Sequence, residues 1–520
     1  MRADPDLTEE GPPLSGGRAE DVAGTGPARG PAGARRGRHA LPGLAAGLLL
    51  TAGLPPFGWW PLALLGAAVL AWVLADTPLR GRLVVAVATG FGLLAPGLFW
   101  MSEFSAPGYV LAVLIEIALL TIGITLVPPG RARAIGLPAI LVLAEALRGI
   151  WPFGGVPIAT IAQTQIGGPL MLVARVGGGL LITATVGVAG VALVAAARRR
   201  LRTAAAGLAI VVLVAVAGAV AAPGRPVGTL STAIVQGGGE RGLLASDDGA
   251  ADVLRAHLDT SEDLPDELDL VVWPENVVTI KGPVAGTRQA DSLGALAQRV
   301  DATVVAGVVE REGDRFRNAA VVWTPAGELS TRYEKNQRVP FGEYVPMRAL
   351  LSKITDVSAI PRDAIAGTEA GILATPAGDL GVVISYEVFF PRRARDAMAA
   401  GAEVLLVPTN ASSFTTSQMP TLELGAARLR AVETGRDVLQ AAPTGLSAVI
   451  RPDGTVLQQS ELGRRQVLFA DSERRVGDTP YTSLGDGPFV VGAAVVLVAA
   501  WALERRSRRP APAHARPGRT

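Results

Sequence analysis

The sequence predicts a polytopic α-helical membrane protein with an α/β domain outside the bilayer. Three observations carry that prediction. Of 520 residues, 49% are hydrophobic and only 18% charged, a balance unusual for a soluble chain of this length. Arginines recur after every second apolar run. Beyond residue 222 the long apolar runs give way to short β-branched runs interleaved with amphipathic stretches.

Residues 1–38 are rich in Gly, Pro, Ala and Arg and nearly free of large apolar side chains, so they are expected to be a disordered basic tail. Apolar runs near the length of a bilayer crossing follow at about 40–55, 58–75, 83–101, 108–127, 134–151, 177–197, 203–222 and 486–503, which makes about eight spans. Seven of them form a bundle over 39–222, and the last, 486–503, precedes a second basic tail at 504–520. The prolines of "LPPFGWWP" break the chain between the first two runs, and Trp59 and Trp60 suit a membrane interface. Basic residues cluster at Arg35, Arg36 and Arg38, at Arg80 and Arg82, at Arg131 and Arg133, in "RRRLR" (198–202) and in "RRSRR" (505–509). By the positive-inside rule these loops and both termini are cytoplasmic, and the polar segment 223–485 is extracytoplasmic. The alternate loops lack Lys and Arg, except that 148–176 carries Arg148 and Arg175.

Within 223–485, strands are expected at 230–236, 268–274, 302–310, 318–323, 381–385, 403–409 and 447–452, and helices at about 250–260, 291–300, 391–400 and 421–435. Turn signals such as "PDG" and "PAG" separate them. Three loop ends then carry chemistry. "VVWPEN" puts Glu275 just past a buried strand, where a carboxylate is costly unless used or paired. "RYEKNQRVPFGEYVP" (332–346) holds Lys335 and Glu343. "VVISYE" delivers Ser385, Tyr386 and Glu387 at the end of an apolar strand. Acid, ammonium and hydroxyl on one set of loops compose a candidate site, since a carboxylate accepts a nucleophile's proton and an ammonium stabilises an oxyanion.

Other chemistries are disfavoured. The chain has three histidines and no cysteine; His39 and His514 fall on the cytoplasmic side and His257 in an amphipathic helix, so a Ser-His-Asp triad has no histidine at a strand end. No His, Asp or Glu cluster has metal-ligand spacing, no cofactor is implied, and no basic–aromatic face suggests nucleic acid.

In order and spacing, "VVWPEN", "YEKNQRVPFGEYVP" and "GVVISYEVFFP" resemble the three signature segments of the nitrilase-type carbon-nitrogen hydrolases. "VPFGEYVP", together with "LPPFGWWPLA" (54–63), "AEALRG" (144–149) and "ARLRAVETGRDVLQAAPTGLSAVIRPDG" (427–454), resembles their membrane branch, the apolipoprotein N-acyltransferases. The resemblance implies a nitrilase-like αββα sandwich in the cytoplasmic membrane of a bacterium. It implies transfer of an acyl chain from a membrane phospholipid to the N-terminal diacylglyceryl-cysteine of an apolipoprotein, with Glu275 as general base, Lys335 at the oxyanion, position 385 as nucleophile, and Glu343 and Glu387 in support. The family's nucleophile is cysteine, and here the position is Ser385. A serine hydroxyl is much less acidic than a thiol and needs a base held against it throughout proton removal.

Two further readings follow from that departure: a catalytically silent lipid- or lipoprotein-binding paralogue, and a membrane-tethered amidase or nitrilase. "TNASSF" (409–414), with Asn410 and Phe414, departs from the family's acidic and tryptophan pattern and is expected to border the lipid entrance. "MRALLSKITDVSAI" (347–360) spaces Leu350, Leu351, Ile354 and Val357 as a helix whose apolar face would reach the outer leaflet as an arm.

Overall fold

The structure is a computed structural model; it describes residues 32–508 apart from 76, 104, 240–248, 354–356, 359 and 411–417, with side chains from His39 onward. Eight helices coincide with the eight apolar runs: α1 (Ala32–Gly53), α2 (Trp60–Val73), α3 (Leu79–Gly97), α4 (Ala106–Thr125), α5 (Arg133–Arg148), α6 (Ala174–Ala197), α7 (Leu201–Val220) and, at the far end of the chain, α14 (Gly487–Ser507). Among the described residues, five helical stretches are long and apolar enough to cross a membrane: Leu79–Gly97, Ala106–Thr125, Met171–Ala197, Leu201–Val220 and Gly487–Ser507. His39–Gly53 and Trp60–Val73 are shorter apolar helices. The first helix begins inside the predicted tail, at Ala32, so the last part of that tail is helical rather than irregular.

Small residues let the bundle close. A Cβ on Gly47 would lie 2.2 Å from the Thr89 carbonyl oxygen, and one on Gly92 would lie 2.7 Å from that of Leu44, so α1 and α3 meet backbone to backbone. The two arginines that interrupted the charge alternation are both buried. Arg148 is wrapped by Glu116 and Glu145, and Arg175 donates to the carbonyls of Ala221 (3.0 Å) and Pro452 (2.8 Å).

The domain contains α8 (Ala250–Ser261), α9 (Arg288–Arg299), α10 (Arg348–Leu351), α11 (Pro391–Ala399), α12 (Met419–Thr434) and α13 (Pro480–Leu484). Its strands are β1 (Arg225–Gln236), β2 (Leu270–Val272), β3 (Val278–Lys281), β4 (Thr303–Glu312), β5 (Arg315–Trp323), β6 (Leu329–Glu334), β7 (Asp363–Ala364), β8 (Ile372–Thr375), β9 (Gly378–Val382), β10 (Val404–Pro408), β11 (Val438–Ala441), β12 (Ala448–Ile450), β13 (Val456–Gln459) and β14 (Gln466–Val476). They form an eight-stranded sheet in the order β14-β1-β2-β4-β5-β6, with β3 and β7 added to β4 and β5, and a six-stranded sheet in the order β13-β12-β11-β10-β9-β8. Strands β1, β2 and β4 run parallel, as do β9, β10 and β11, and the edges are antiparallel.

Four layers result. Ile234, Val272, Val305, Val382 and Leu406 pack between the sheets. On the outer face of the first sheet, α9 buries Leu293, Leu296 and Ala297; Thr287 caps its N-terminus by accepting from the Ala290 amide (3.2 Å). On the outer face of the second sheet, α11 and α12 bury Ala394, Leu422, Leu429 and Val432 in a core shared with the membrane helices. Both faces of the central strands are therefore covered, which explains the unbroken apolar run of β4.

Among the described residues, the helix expected over 347–360 is present as the single turn Arg348–Leu351. Its Arg348 is tied to Asp363 (2.6 Å), Val357 is half-buried, and Ile354 lies outside the described residues.

Candidate active site

The functional side chains gather at the carboxyl ends of the parallel strands, where open α/β sheets present ligand sites. After β9 the chain turns sharply into a 3-10 turn, Ser385–Phe389. Ser385 holds φ = 49°, a left-handed conformation unfavourable for a residue with a Cβ, and it alone among 381–390 is not buried. Glu387 holds the turn from beneath. Its carboxylate accepts from the Ile384, Asn336 and Gln337 amides (each 2.8 Å) and from the Tyr333 hydroxyl (2.9 Å). Burial pushes the Glu387 pKa up, against the pull of these amides and of Lys335. The same carboxylate thus fixes the Ser385 turn and the loop that carries Lys335.

Lys335, 2% exposed, is clamped between two acids: Nζ donates to Glu275 Oε1 (2.9 Å) and to Glu343 Oε1 (2.7 Å). Burial alone would lower the pKa of Lys335; the two carboxylates outweigh it and hold the ammonium charged. Glu275 Oε1 also accepts from Asn318 Nδ2 (2.7 Å), and Glu343 Oε2 from the Val339 amide (2.9 Å). Tyr386 is buried, its hydroxyl donating to the Gly155 carbonyl (3.0 Å) of the loop after α5. A Cβ on neighbouring Gly154 would come within 2.7 Å of Gln337, so this loop rests directly on the Lys335 loop.

The hydroxyl of Ser385 is not hydrogen-bonded to Glu275 or Lys335. Ser385 Oγ donates to Glu423 Oε1 (3.2 Å), and Glu423 Oε2 accepts from Thr409 Oγ1 (2.7 Å) at the end of β10. Sequence reading missed Glu423. The available signal was a lone carboxylate between Leu422 and Leu424 on a helix that is otherwise apolar over its first turns.

Beside Tyr386 lies an open apolar cavity, lined by Trp100 and Met101 of the turn after α3, by Leu111 and Ile115 of α4 and by Val339 and Phe341 of the Lys335 loop. Leu350 is 56% exposed and Leu351 half-buried. Asn410 follows β10, and Phe414 lies outside the described residues. His257 is buried in α8 against Trp273, and burial lowers its pKa to about 4.

Residues 46–192 match the family description "Apolipoprotein N-acyltransferase N-terminal domain", and residues 232–481 match "Carbon-nitrogen hydrolase". An apolipoprotein N-acyltransferase of Azotobacter vinelandii is 32% identical over 500 residues, covering 90% of this chain and 96% of that one. This chain belongs to the apolipoprotein N-acyltransferase family. Another apolipoprotein N-acyltransferase, from Mycolicibacterium smegmatis, is 29% identical over 503 residues, covering 88% of this chain and 84% of its own. Among solved structures, Saccharomyces cerevisiae Nit3 of the nitrilase superfamily is 18% identical, covers 48% of this chain and 91% of its own, and has a TM-score of 0.37. The apolipoprotein N-acyltransferase family accounts for both halves of the chain, the bundle and the sandwich.

Proposed function

We propose that this protein moves a fatty acyl chain from a membrane phospholipid onto Ser385, and then to the α-amine of a diacylglyceryl-cysteine at the N-terminus of an apolipoprotein. The observation that carries this reading is the apolar cavity. It is walled by membrane helices and by Tyr386, the neighbour of Ser385, so a lipid chain lying there would bring its ester to the nucleophile. Attack on the ester carbonyl develops an oxyanion, and its stabilisation falls to Lys335, whose charge is supported by Glu275 and Glu343. The family resemblance implies Glu275 as general base. Exchange of one oxygen ester for another is close to even in free energy, and formation of the amide draws the sequence forward.

In this reading α1–α7 and α14 make eight crossings with both termini in the cytoplasm, and the sandwich faces outward. Burial of Arg148 and Arg175 supports it, because the arginines left in solvent-facing connections then fall on one side only. The exposure of Leu350 supports its reading as part of a membrane-dipping arm.

Retention of Lys335, Glu275 and Glu343 as one bonded cluster favours an active enzyme over a silent binding protein, which has no use for it. Mass spectrometry of a diacylglyceryl lipopeptide incubated with phospholipid vesicles and the purified protein tests the reading. The expected result is a gain of one acyl chain with the natural protein and none with Ser385→Ala, a loss of at least about 10³-fold. Acylation by Ser385→Ala at the natural rate would overturn it.

A further inference from the structure

We infer that Glu423, rather than Glu275, is the group that takes the Ser385 hydroxyl proton, which makes it a catalytic residue of a serine form of this chemistry. The inference rests on the reading of Ser385 as the acyl-carrying nucleophile. Three observations lead to it.

The first is contact. The side-chain partner of the Ser385 hydroxyl is Glu423 Oε1 at 3.2 Å, whereas Glu275 Oε1 is taken up by Lys335 and Asn318. A general base must lie within hydrogen-bond reach of the proton it removes, and Glu423 does. The second is immobility. Glu423 is 2% exposed on α12, which is buried along nearly its whole length, and Thr409 Oγ1 holds its other oxygen at 2.7 Å, so the carboxylate keeps its aim throughout the proton transfer. The third is environment. Burial, with Glu275 nearby, raises the Glu423 pKa to about 7 against the opposing effects of the Thr409 and Ser385 bonds and of Lys335, which brings its basicity to the operating range of a neutral-pH catalyst. The charged groups acting on it are Glu275 and Lys335. Further along α12, Arg430 and Glu433 pair with each other (2.8 Å), and on α11 Arg393 pairs with Asp396 (3.0 Å).

The proton balance closes without another reactant. As Oγ attacks the donor ester carbonyl carbon, its proton passes to Glu423. When the carbonyl-to-glycerol C–O bond breaks, the departing alkoxide takes that proton and leaves as the lysophospholipid alcohol. In the second half the lipoprotein amine attacks the acyl-serine carbonyl. As the C–N bond forms and the C–Oγ bond breaks, Glu423 accepts a proton from the nitrogen and returns it to Oγ. Amide and free serine result, and Glu423 ends ionised as it began. A thiol needs this carboxylate less, because its own reference pKa near 8.5 already yields some thiolate at neutral pH.

The test is a double-mutant cycle on the full-length protein in phospholipid vesicles, across pH 5.5–9, measuring lysophospholipid release and lipopeptide acylation. In the natural background Glu423→Gln is expected to lose about 10²–10³-fold, together with the rise in rate centred near pH 7 as the carboxylate ionises. In the Ser385→Cys background the same change is expected to cost at least about tenfold less. Glu423→Asp keeps a carboxylate and is expected to keep the pH-dependent rise at a reduced rate, which serves if the glutamine variant fails to fold. Equal losses from Glu423→Gln in the two backgrounds, or an unaltered pH profile, would overturn the inference by leaving Glu423 a structural residue. Acylation by Ser385→Ala at the natural rate would instead overturn the reading of Ser385 on which it rests.

Discussion

The molecule contains two clusters of similar design, one in the membrane bundle and one in the sandwich. In the bundle, Arg148 lies between Glu116 and Glu145, with Arg148 and Glu116 each 1% exposed. In the sandwich, Lys335 lies between Glu275 and Glu343. In each, a buried cation is matched by two acids, as the cost of burying charge demands. They differ in the cation and in what stands beside it. The guanidinium of Arg148 has donors to spare and uses one on the Ile158 carbonyl (2.9 Å), while Glu145 accepts from the Ile161 amide (3.4 Å), so the cluster ties down the loop that supports Tyr386. Lys335 is a point charge at the strand ends, on the loop that Glu387 fastens to the Ser385 turn. Similar neutralisation thus serves architecture in one place and, in the proposed reaction, chemistry in the other, and the neighbours decide which.

Four substitutions sharpen or break that contrast. Lys335→Met is expected to have the largest effect: turnover should fall about 10²–10³-fold through loss of oxyanion stabilisation, and unfolding free energy by about 3–5 kcal/mol because two carboxylates lose their partner. Lys335→Arg should restore less activity than stability, as a forked guanidinium does not reproduce the ammonium's position. Arg148→Met should cost a similar 3–5 kcal/mol in thermal unfolding in detergent, yet leave turnover per folded molecule within about threefold. Turnover as low as that of Lys335→Met would erase the distinction between the clusters. Tyr386→Phe should be smallest, near 1 kcal/mol for the lost hydrogen bond to Gly155, with a shift in KM for phospholipid exceeding that in kcat. A larger fall in kcat than rise in KM would move Tyr386 from the cavity wall into the chemistry.

Much of this was legible in the primary structure because the physics is local. A long apolar helix bonds its own backbone and presents apolar side chains for many consecutive residues, so α1–α7 and α14 stood out as runs. The central strands were legible because both faces are covered and their sequences are unbroken apolar runs. Strand β14, by contrast, reads QVLFADSERRV and is held by its pairing with β1, some 240 residues away, which no local pattern records. β6 was missed for a related reason: LSTRYE lies at a sheet edge and is half-polar. Within the site, Glu275, Lys335, Glu343 and Ser385 were visible as polar residues breaking apolar or Pro-and-Gly-shaped segments. Glu423 reaches Ser385 only because α12 folds back 38 positions later, a proximity the sequence does not encode as a motif.

Helix α12 presents Leu422 and Leu429 to a core that continues from the second sheet into the membrane helices. The sandwich accordingly carries apolar side chains on that side. Cut free at 223–485, it would bare the greasy flank on which its own catalytic carboxylate rides, and it would aggregate rather than work in solution. Bundle and sandwich thus share one core, which trimming the chain would open.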